Sequence, residues 1–502
     1  MRTIVDYVAD QARELPDHPF LTEQEWTVTF ADFLLLTRRM AGYLAGLGVR
    51  AGDRVVLYVE GRIPHLLGYF ASMALGAVPV HLYAEKTHRF VAFAAGHTGA
   101  AVVLTDRPDL DPGSLPCRLA RVPDLTAAGP ETWTEVRDPV AYMMFTSGTT
   151  GQPKAVLTTQ ENVLFVTRTL IGIPGMRPGD REVIVMPLGS TGGLGHVHAH
   201  LMLGNHARLL PYFFGAMDDA DMRHMLATIE AHAITGFLST PGMLGRLATE
   251  HREAFRRQAR GLRYVLANVT PMRPELVRDL LELLPATRFH TYYGLTEASR
   301  SVYQCFNDHP GHHAAAGRPA PGVEITLDAP DPATGVGEVL IRGGNLMAGY
   351  WQQEENPLTP GGWFRSGDLG SFDGDGFLTI RGRLKDCINV DGLKCFPHEI
   401  EEVLARHPAV AECAVVGVPD RTTFERLGAA VVPRAGSDLA SLAGELERWC
   451  RRELEPYKVP AGFVFFDALP RAGLGKLQRG EIVERLACLL PLRSGIVCDD
   501  SL

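Results

Sequence analysis

No stretch of this chain stays apolar for the roughly 18 residues that a membrane-spanning helix needs, because Gly, His, Arg or Pro interrupts each hydrophobic run first. The opening residues Met1-Arg2-Thr3-Ile4-Val5-Asp6 carry no apolar signal core, so a cytoplasmic location and no integral membrane contact are expected. No two cysteines form a Cys-x-x-Cys pair. The eight, at positions 117, 305, 387, 395, 413, 450, 488 and 498, are scattered, which argues against a zinc site and a secreted disulfide framework and for reduced thiols. Basic charge is not in surplus: a formal net charge of −9 gives no support for general nucleic-acid binding. Repeats and low-complexity tethers are missing too.

What the chain does have is length and rhythm. Its 502 residues exceed one compact core, and 46% hydrophobic content is ample for two or more domains. Strand-like runs at 55–60, 78–82, 101–106, 234–238, 264–269 and 289–293 alternate with helix-length segments such as 63–75, which is the α/β pattern. Near Gly337 the rhythm changes to short antiparallel strands at 338–342, 370–372 and 377–381, the last two joined by the turn Asp373-Gly374-Asp375-Gly376. Beyond Arg383, helices at 397–406 and 439–454 are set among strands at 413–418, 429–433 and 463–466, a compact α+β unit. Leu384-Lys385-Asp386 reads as a short hinge between the two parts.

The most telling stretch is Met143-Met144-Phe145-Thr146-Ser147-Gly148-Thr149-Thr150-Gly151-Gln152-Pro153-Lys154, where a polar loop interrupts two apolar runs. Thr146, Ser147, Thr149 and Thr150 offer hydroxyl donors, Gly148 and Gly151 let backbone N–H groups approach an anion, and Lys154 adds a charge: the parts of a phosphate cradle. It is not a Walker A loop, because its glycines are too close together and Lys154 precedes an alanine. A second cluster, Tyr293-Gly294-Leu295-Thr296-Glu297, pairs a hydroxyl with a carboxylate and suits a phosphate contact plus a Mg²⁺ ligand. A third sets Asp368 after the glycines of Gly361-Gly362-Trp363-Phe364-Arg365-Ser366-Gly367, where it accepts from ribose hydroxyls or merely caps a turn. Arg383 at the junction and Lys476 within Gly473-Leu474-Gly475-Lys476 complete the set.

In this order and spacing the five clusters resemble the adenylate-forming superfamily of acyl-CoA synthetases, non-ribosomal adenylation domains and luciferases, over nearly the whole chain. The resemblance implies a large N-terminal domain of mixed sheets with packed helices over residues 1–384, and a small mobile α+β domain over 385–502 that turns about Lys385. It implies ATP and Mg²⁺, with the Thr146–Lys154 loop on the β and γ phosphates, Thr296 at the α-phosphate and Glu297 on Mg²⁺. Tyr293 and Gly294 belong to the nucleotide motif, Asp368 would bind ribose, and Arg383 would assist there. Lys476 would bridge the acid and the α-phosphate while two anions are forced together. After rotation, Gly392 and its neighbours would face the thiol acceptor.

The acid pocket departs from the family's pattern. Where many relatives carry an aromatic-His pair after Pro-Leu, this chain reads Pro187-Leu188-Gly189-Ser190-Thr191-Gly192-Gly193-Leu194. A wall thinned at Gly189, Ser190 and Gly193 leaves room for a bulkier acid or lets another side chain fill the gap, while Asn268 and Val269 stand where relatives often have small residues. The segment lacks the Asp that amino-acid-activating relatives use against an α-ammonium, so a fatty, branched or aryl acid is expected. His196, His198 and His200 alternate, but with no His-Glu-x-x-His pattern a metal role is not expected. The acceptor is coenzyme A or, alternatively, the phosphopantetheine arm of an acyl carrier protein. Arg448, Arg451, Arg452 and Lys458 either meet such an acceptor or form a solvated helix face. The joint presence of Lys476, Glu297, Asp368 and Arg383 argues against a non-catalytic nucleotide-binding relative.

Overall fold

Three helices start at capping boxes, in which side chain and backbone N–H groups satisfy one another: Thr29 with Asp32, Thr159 with Asn162, and Asp218 with Asp221. The computed structural model describes residues 2–127, 129–134, 136–146, 153–210, 217–267, 272–332, 334–353, 357–386, 388–390, 393–420, 424–472 and 476–489, and in it such helices alternate with short strands. The fold is α/β, with a large N-terminal and a small C-terminal domain. By compactness the chain divides into one unit of Met1–Thr326, Leu340–Ser366 and Phe372–Thr379, and a second of Leu327–Val339, Gly367–Ser371 and Ile380–Leu502. The strands Val323–Asp328, Gly337–Gly343, Phe364–Phe372 and Leu378–Arg383 form a sheet in that order, and the chain passes from one unit to the other along them.

The first unit holds two large sheets. In one, Pro19–Glu23, His206–Leu209, Arg181–Ile184, Gly236–Ser239, Tyr264–Ala267 and Arg288–Tyr293 lie side by side and parallel, with antiparallel strands at the edges. In the other, Val140–Thr146, Val78–His81, Arg54–Tyr58, Val102–Thr105 and Arg118–Arg121 are parallel, and Lys154–Thr159 returns antiparallel beside Val140–Thr146. Val78–His81 and Val102–Thr105 are buried throughout, as expected of parallel strands covered by helices on both faces.

In the second unit, the antiparallel pair Val410–Asp420 and Phe424–Pro433 is flanked by Ile388–Val390 and by the parallel strand Gly462–Phe465. Successive residues point to opposite faces. Val415 and Val431 pack with Ile400, Leu404, Leu442 and Leu446 of the helices Pro397–Ala405 and Leu439–Glu453, while Val416 and Ala430 pack with Ile482 and Leu486 of Arg479–Leu489.

The Asp373–Gly376 turn forms as expected, closed by Gly376 N–H to the Asp373 carbonyl at 3.1 Å. The strand before it starts six residues earlier than the sequence pattern indicates, at Phe364, and takes in Asp368. Gly367, at φ +70°, allows this by adopting a conformation other side chains avoid. Among the described residues no helix is long and apolar enough to cross a membrane, and the six described cysteines are free.

Two buried polar groups tie the first unit together. Arg62, at the start of the helix Arg62–Ala74, donates to the carbonyls of Ile184 at 2.7 Å, Met186 at 2.6 Å and Leu210, while Glu23 accepts the backbone N–H groups of Arg62 and Ile63. This joins a helix of one sheet to strand ends of the other. Glu182, in Arg181–Ile184, lies wholly buried, and its Oε2 accepts from His196 Nδ1 at 2.7 Å and His200 Nε2 at 2.8 Å. Burial favours a protonated Glu182, but the two imidazoles outweigh it and hold the carboxyl well below its usual range.

Replacing Glu182 by Leu would remove the acceptor that both imidazoles share and leave their N–H groups buried without it. Urea denaturation should show a loss of about 3–5 kcal/mol, the cost of breaking a buried pair from one side. A loss below about 1 kcal/mol would mean that the cluster contributes no more than an ordinary hydrogen bond.

Candidate active site

Two strands deliver the ends of the hydroxyl-rich loop. Val140–Thr146 and Lys154–Thr159 run antiparallel, with Thr146 opposite Lys154 where the loop leaves the sheet. Ser147, Gly148, Thr149, Thr150 and Gly151 lie outside the described residues. A two-residue strand, Gly349–Tyr350, pairs with Lys154–Thr159 and brings the Tyr350 ring to 4.7 Å from the Lys154 ammonium. From the other sheet, Arg288–Tyr293 ends on Tyr293, and the chain turns through Gly294 so that Leu295 and Ala298 exchange backbone hydrogen bonds at 3.0 and 3.2 Å.

This turn fixes Glu297. Its carbonyl accepts from the Met347 N–H at 2.8 Å, and its Oε1 accepts from Thr146 Oγ1 at 3.3 Å and from the Tyr350 hydroxyl at 3.1 Å. Burial, reinforced by the Glu297 charge, holds the Tyr350 phenol well above its usual range, so the hydroxyl stays a donor. The result is a partly buried carboxylate among hydroxyls at the mouth of the loop. Such an all-oxygen donor set fits a hard cation such as Mg²⁺.

Thr296, beside it, lines a cavity shared with Thr158, Asn162, Thr191, His198 and Arg300. From the segment expected to form the acid pocket, Thr191 and Gly195 line this cavity; Gly189, Ser190 and Gly193 do not. A Cβ on Gly189 would stand 3.1 Å from the Leu82 carbonyl oxygen and 3.3 Å from the Tyr83 ring, and one on Gly193 would stand 2.4 Å from the Pro187 carbonyl oxygen. These glycines admit close backbone packing. Ser190 caps the helix Thr191–Leu203 by accepting from the Gly193 N–H. Asn268 and Val269 lie outside the described residues. The alternating histidines sit on that helix: His196 and His200 turn to Glu182, and His198 turns to the cavity, its Nε2 3.1 Å from the Tyr69 hydroxyl.

In the second unit, Asp368 is buried and its Oδ1 lies 2.9 Å from Arg383 Nε. Lys385 is exposed in the turn Leu384–Asp386. Lys476 starts the strand Lys476–Leu477 opposite Ala472; only its backbone is described. Gly392, between strands Ile388–Val390 and Leu393–Cys395, lies outside the described residues. Of the basic run, Arg451 pairs with Glu447 at 2.7 Å, Lys458 pairs with Glu399 at 2.7 Å and Glu455 at 3.0 Å, and Arg452 covers the Trp449 ring. Sequence reasoning missed Tyr350 and Arg300. Nothing local marks Tyr350, whereas Arg300 stands three residues beyond Glu297.

The family model described as AMP-binding enzyme matches residues 8–351, and the model of the AMP-binding enzyme C-terminal domain matches residues 399–476. The chain is 30% identical over 488 residues to a feruloyl-CoA synthase of Amycolatopsis sp, covering 95% of this chain and 97% of that one. It is 29% identical over 490 residues to a 2-succinylbenzoate–CoA ligase of Bacillus licheniformis, covering 95% and 99%. The solved o-succinylbenzoate CoA synthetase of Bacillus subtilis, in complex with its acyl-adenylate intermediate, aligns at a TM-score of 0.85 and 28% identity over 98% of this chain and 99% of that one.

If Glu297 holds the cation, its hydrogen-bond partner should matter indirectly. Tyr350→Phe should weaken Mn²⁺ binding in the presence of ATP about tenfold, the low end for the loss of a partner to a metal ligand, and Glu297→Gln should weaken it further. Both variants should keep the wild-type thermal midpoint. Unchanged Mn²⁺ binding in folded Glu297→Gln would remove the carboxylate from the metal site.

Proposed function

The chain belongs to the AMP-binding enzyme family and is an AMP-forming acid–thiol ligase, and we propose the roles that its own residues take in that reaction. A carboxylate oxygen attacks the α-phosphorus of ATP, acyl-AMP forms and pyrophosphate leaves; a thiolate then attacks the acyl carbon and AMP leaves. The first step forces two anions together, so cationic and hydrogen-bonding groups must converge on it. The observation that carries this reading is the meeting of Thr146 and Tyr350 on Glu297, with Lys154 beside the same tyrosine, at the mouth of the hydroxyl-rich loop.

In this proposal Thr146, Lys154 and the loop between them hold the outer phosphates, and Thr296 contacts the α-phosphate. Glu297 holds Mg²⁺, which when bound neutralises charge on the leaving pyrophosphate. Asp368, oriented by Arg383, accepts from the ribose hydroxyls. Lys476 neutralises the approaching carboxylate and phosphate. The domains divide at Lys385, and Gly392 belongs to the acceptor side after rotation. The acid has no α-ammonium: Arg300 in the cavity would repel one. The acceptor is coenzyme A, by analogy with the feruloyl-CoA and succinylbenzoate–CoA enzymes, and the setting is the cytoplasm.

Acid-dependent exchange of labelled pyrophosphate into ATP tests the first step. Lys476→Ala should nearly abolish exchange while leaving transfer from preformed acyl-AMP to coenzyme A largely intact, because the lysine acts only while two anions approach. Equal loss of both half-reactions would assign it a different role. Lys385→Pro should do the opposite, keeping exchange and losing thioester formation, since proline fixes φ where a hinge must change it. A Lys385→Pro enzyme competent in both steps would place the hinge elsewhere.

A further inference from the structure

Arg300 is a buried arginine, 2% exposed, and among the described residues no carboxylate pairs with it. Its Nη1 donates to Ser299 Oγ at 3.3 Å and its Nη2 to the Thr191 carbonyl at 3.2 Å, both long, and its Nε finds no acceptor. Among the described residues the other buried arginine, Arg62, shows how such a group is ordinarily satisfied: three carbonyls receive its guanidinium. An arginine that keeps its charge away from water without such partners is costly to hold, unless a ligand supplies the anion.

The surroundings are shaped for this guanidinium. Arg300 has φ +54°, a left-handed conformation that side chains other than glycine rarely adopt. The helix Thr191–Leu203 carries Gly195 against it, and a Cβ there would stand 2.7 Å from Nη2 and 2.9 Å from Nη1. The Tyr292 ring lies 5.2 Å away on another side. What remains open faces the cavity that Thr296 also lines, where Thr158, Asn162, Thr191 and His198 add polar groups. Burial, and then the Arg300 charge, push His198 down to about 3, so Arg300 is the cation of this wall. The free space is about 20 Å³, room for one or two water-sized groups and so on the scale of a carboxylate's two oxygens.

We propose that the acid activated here carries a second, non-reacting carboxylate, and that Arg300 is the residue that selects for it. The inference rests on the ligase reading above and names its substrate class: a dicarboxylic acid. The carboxylate at Arg300 is the non-reacting one, because an oxygen engaged by a guanidinium is a weakened nucleophile. An uncharged acyl tail in the same place would leave the buried cation without a partner.

The test is pyrophosphate exchange with matched acids: butyrate against succinate, hexanoate against adipate, and benzoate against phthalate, at saturating Mg·ATP. For at least one pair, wild-type kcat/KM should favour the diacid by roughly 100-fold, the worth of a charge-assisted pair. Arg300→Met should erase that preference through a higher KM for the diacid, with the monoacid little changed and ATP affinity by calorimetry unaltered. Gly195→Ala, which displaces the guanidinium without removing its charge, should reduce the same preference and serves if Arg300→Met does not fold. Wild-type preference for the monoacid in every pair overturns the proposal, as does an equal loss on both acids in Arg300→Met. Exchange with no acid at all, in protein that binds Mg·ATP, overturns the ligase reading itself.

Discussion

The carboxylate of Glu297 is the point at which the two large sheets of the first unit meet beside the candidate site. Thr146 comes to it from the last residue of one strand, Tyr350 from a two-residue edge strand, and Glu297 itself from the turn after a strand of the other large sheet. One oxygen atom, carried by the turn after a strand of one sheet, therefore receives two hydroxyls from the other. The strand ends at Thr146 and Lys154 belong to one sheet and the Thr296–Glu297 turn follows a strand of the other, so under the proposed roles a nucleotide that touches both would read the relative position of the sheets. Glu297 links the two at this point, an arrangement already made in the absence of a nucleotide.

The buried polar groups farther from the site serve the same end. Arg62 closes three backbone carbonyls at strand ends, and Glu182 locks the helix Thr191–Leu203 to the strand beneath it through two histidines one turn apart. That helix also presents Thr191, Gly195 and His198 to the cavity. His196 and His200 thus hold the helix while His198, on another face, helps define what the cavity accepts. The alternation that looks like a metal motif in sequence is a division of labour around a helix.

The chemistry legible in the sequence was the chemistry that is local in the chain. The candidate segments at Thr146–Lys154 and Tyr293–Glu297 stand out because hydroxyls, glycines and a carboxylate crowd into a few residues, and the alternation of strands and helices follows from side-chain period alone. Tyr350 could not, since it lies 53 residues from Glu297 and meets it only through sheet pairing. Gly189 and Gly193 show a different limit. A glycine in sequence says that a side chain is absent but not on which side, and here a Cβ on Gly189 would meet the Leu82 carbonyl and the Tyr83 ring, and one on Gly193 the Met186 and Pro187 carbonyls. Asp368 was expected after a turn and lies within a strand, because a glycine at positive φ can sit inside a strand as well as end one.

Among the described residues, two hydrophobic clusters of the second unit draw on residues between Ile388 and Leu486, one on each face of the Val410–Asp420 and Phe424–Pro433 pair. Because that core is closed within the unit, a change in its orientation does not require its apolar interior to be rebuilt. Under the rotation proposed above, the energy separating orientations would be set by surface contacts and by the ligand present, a scale of a few kcal/mol that differential binding can tip. Stability and the proposed reorientation would then be separable properties: a firmer interior would leave the cycle its speed, and surface substitutions would retune the cycle while leaving the melting point where it was.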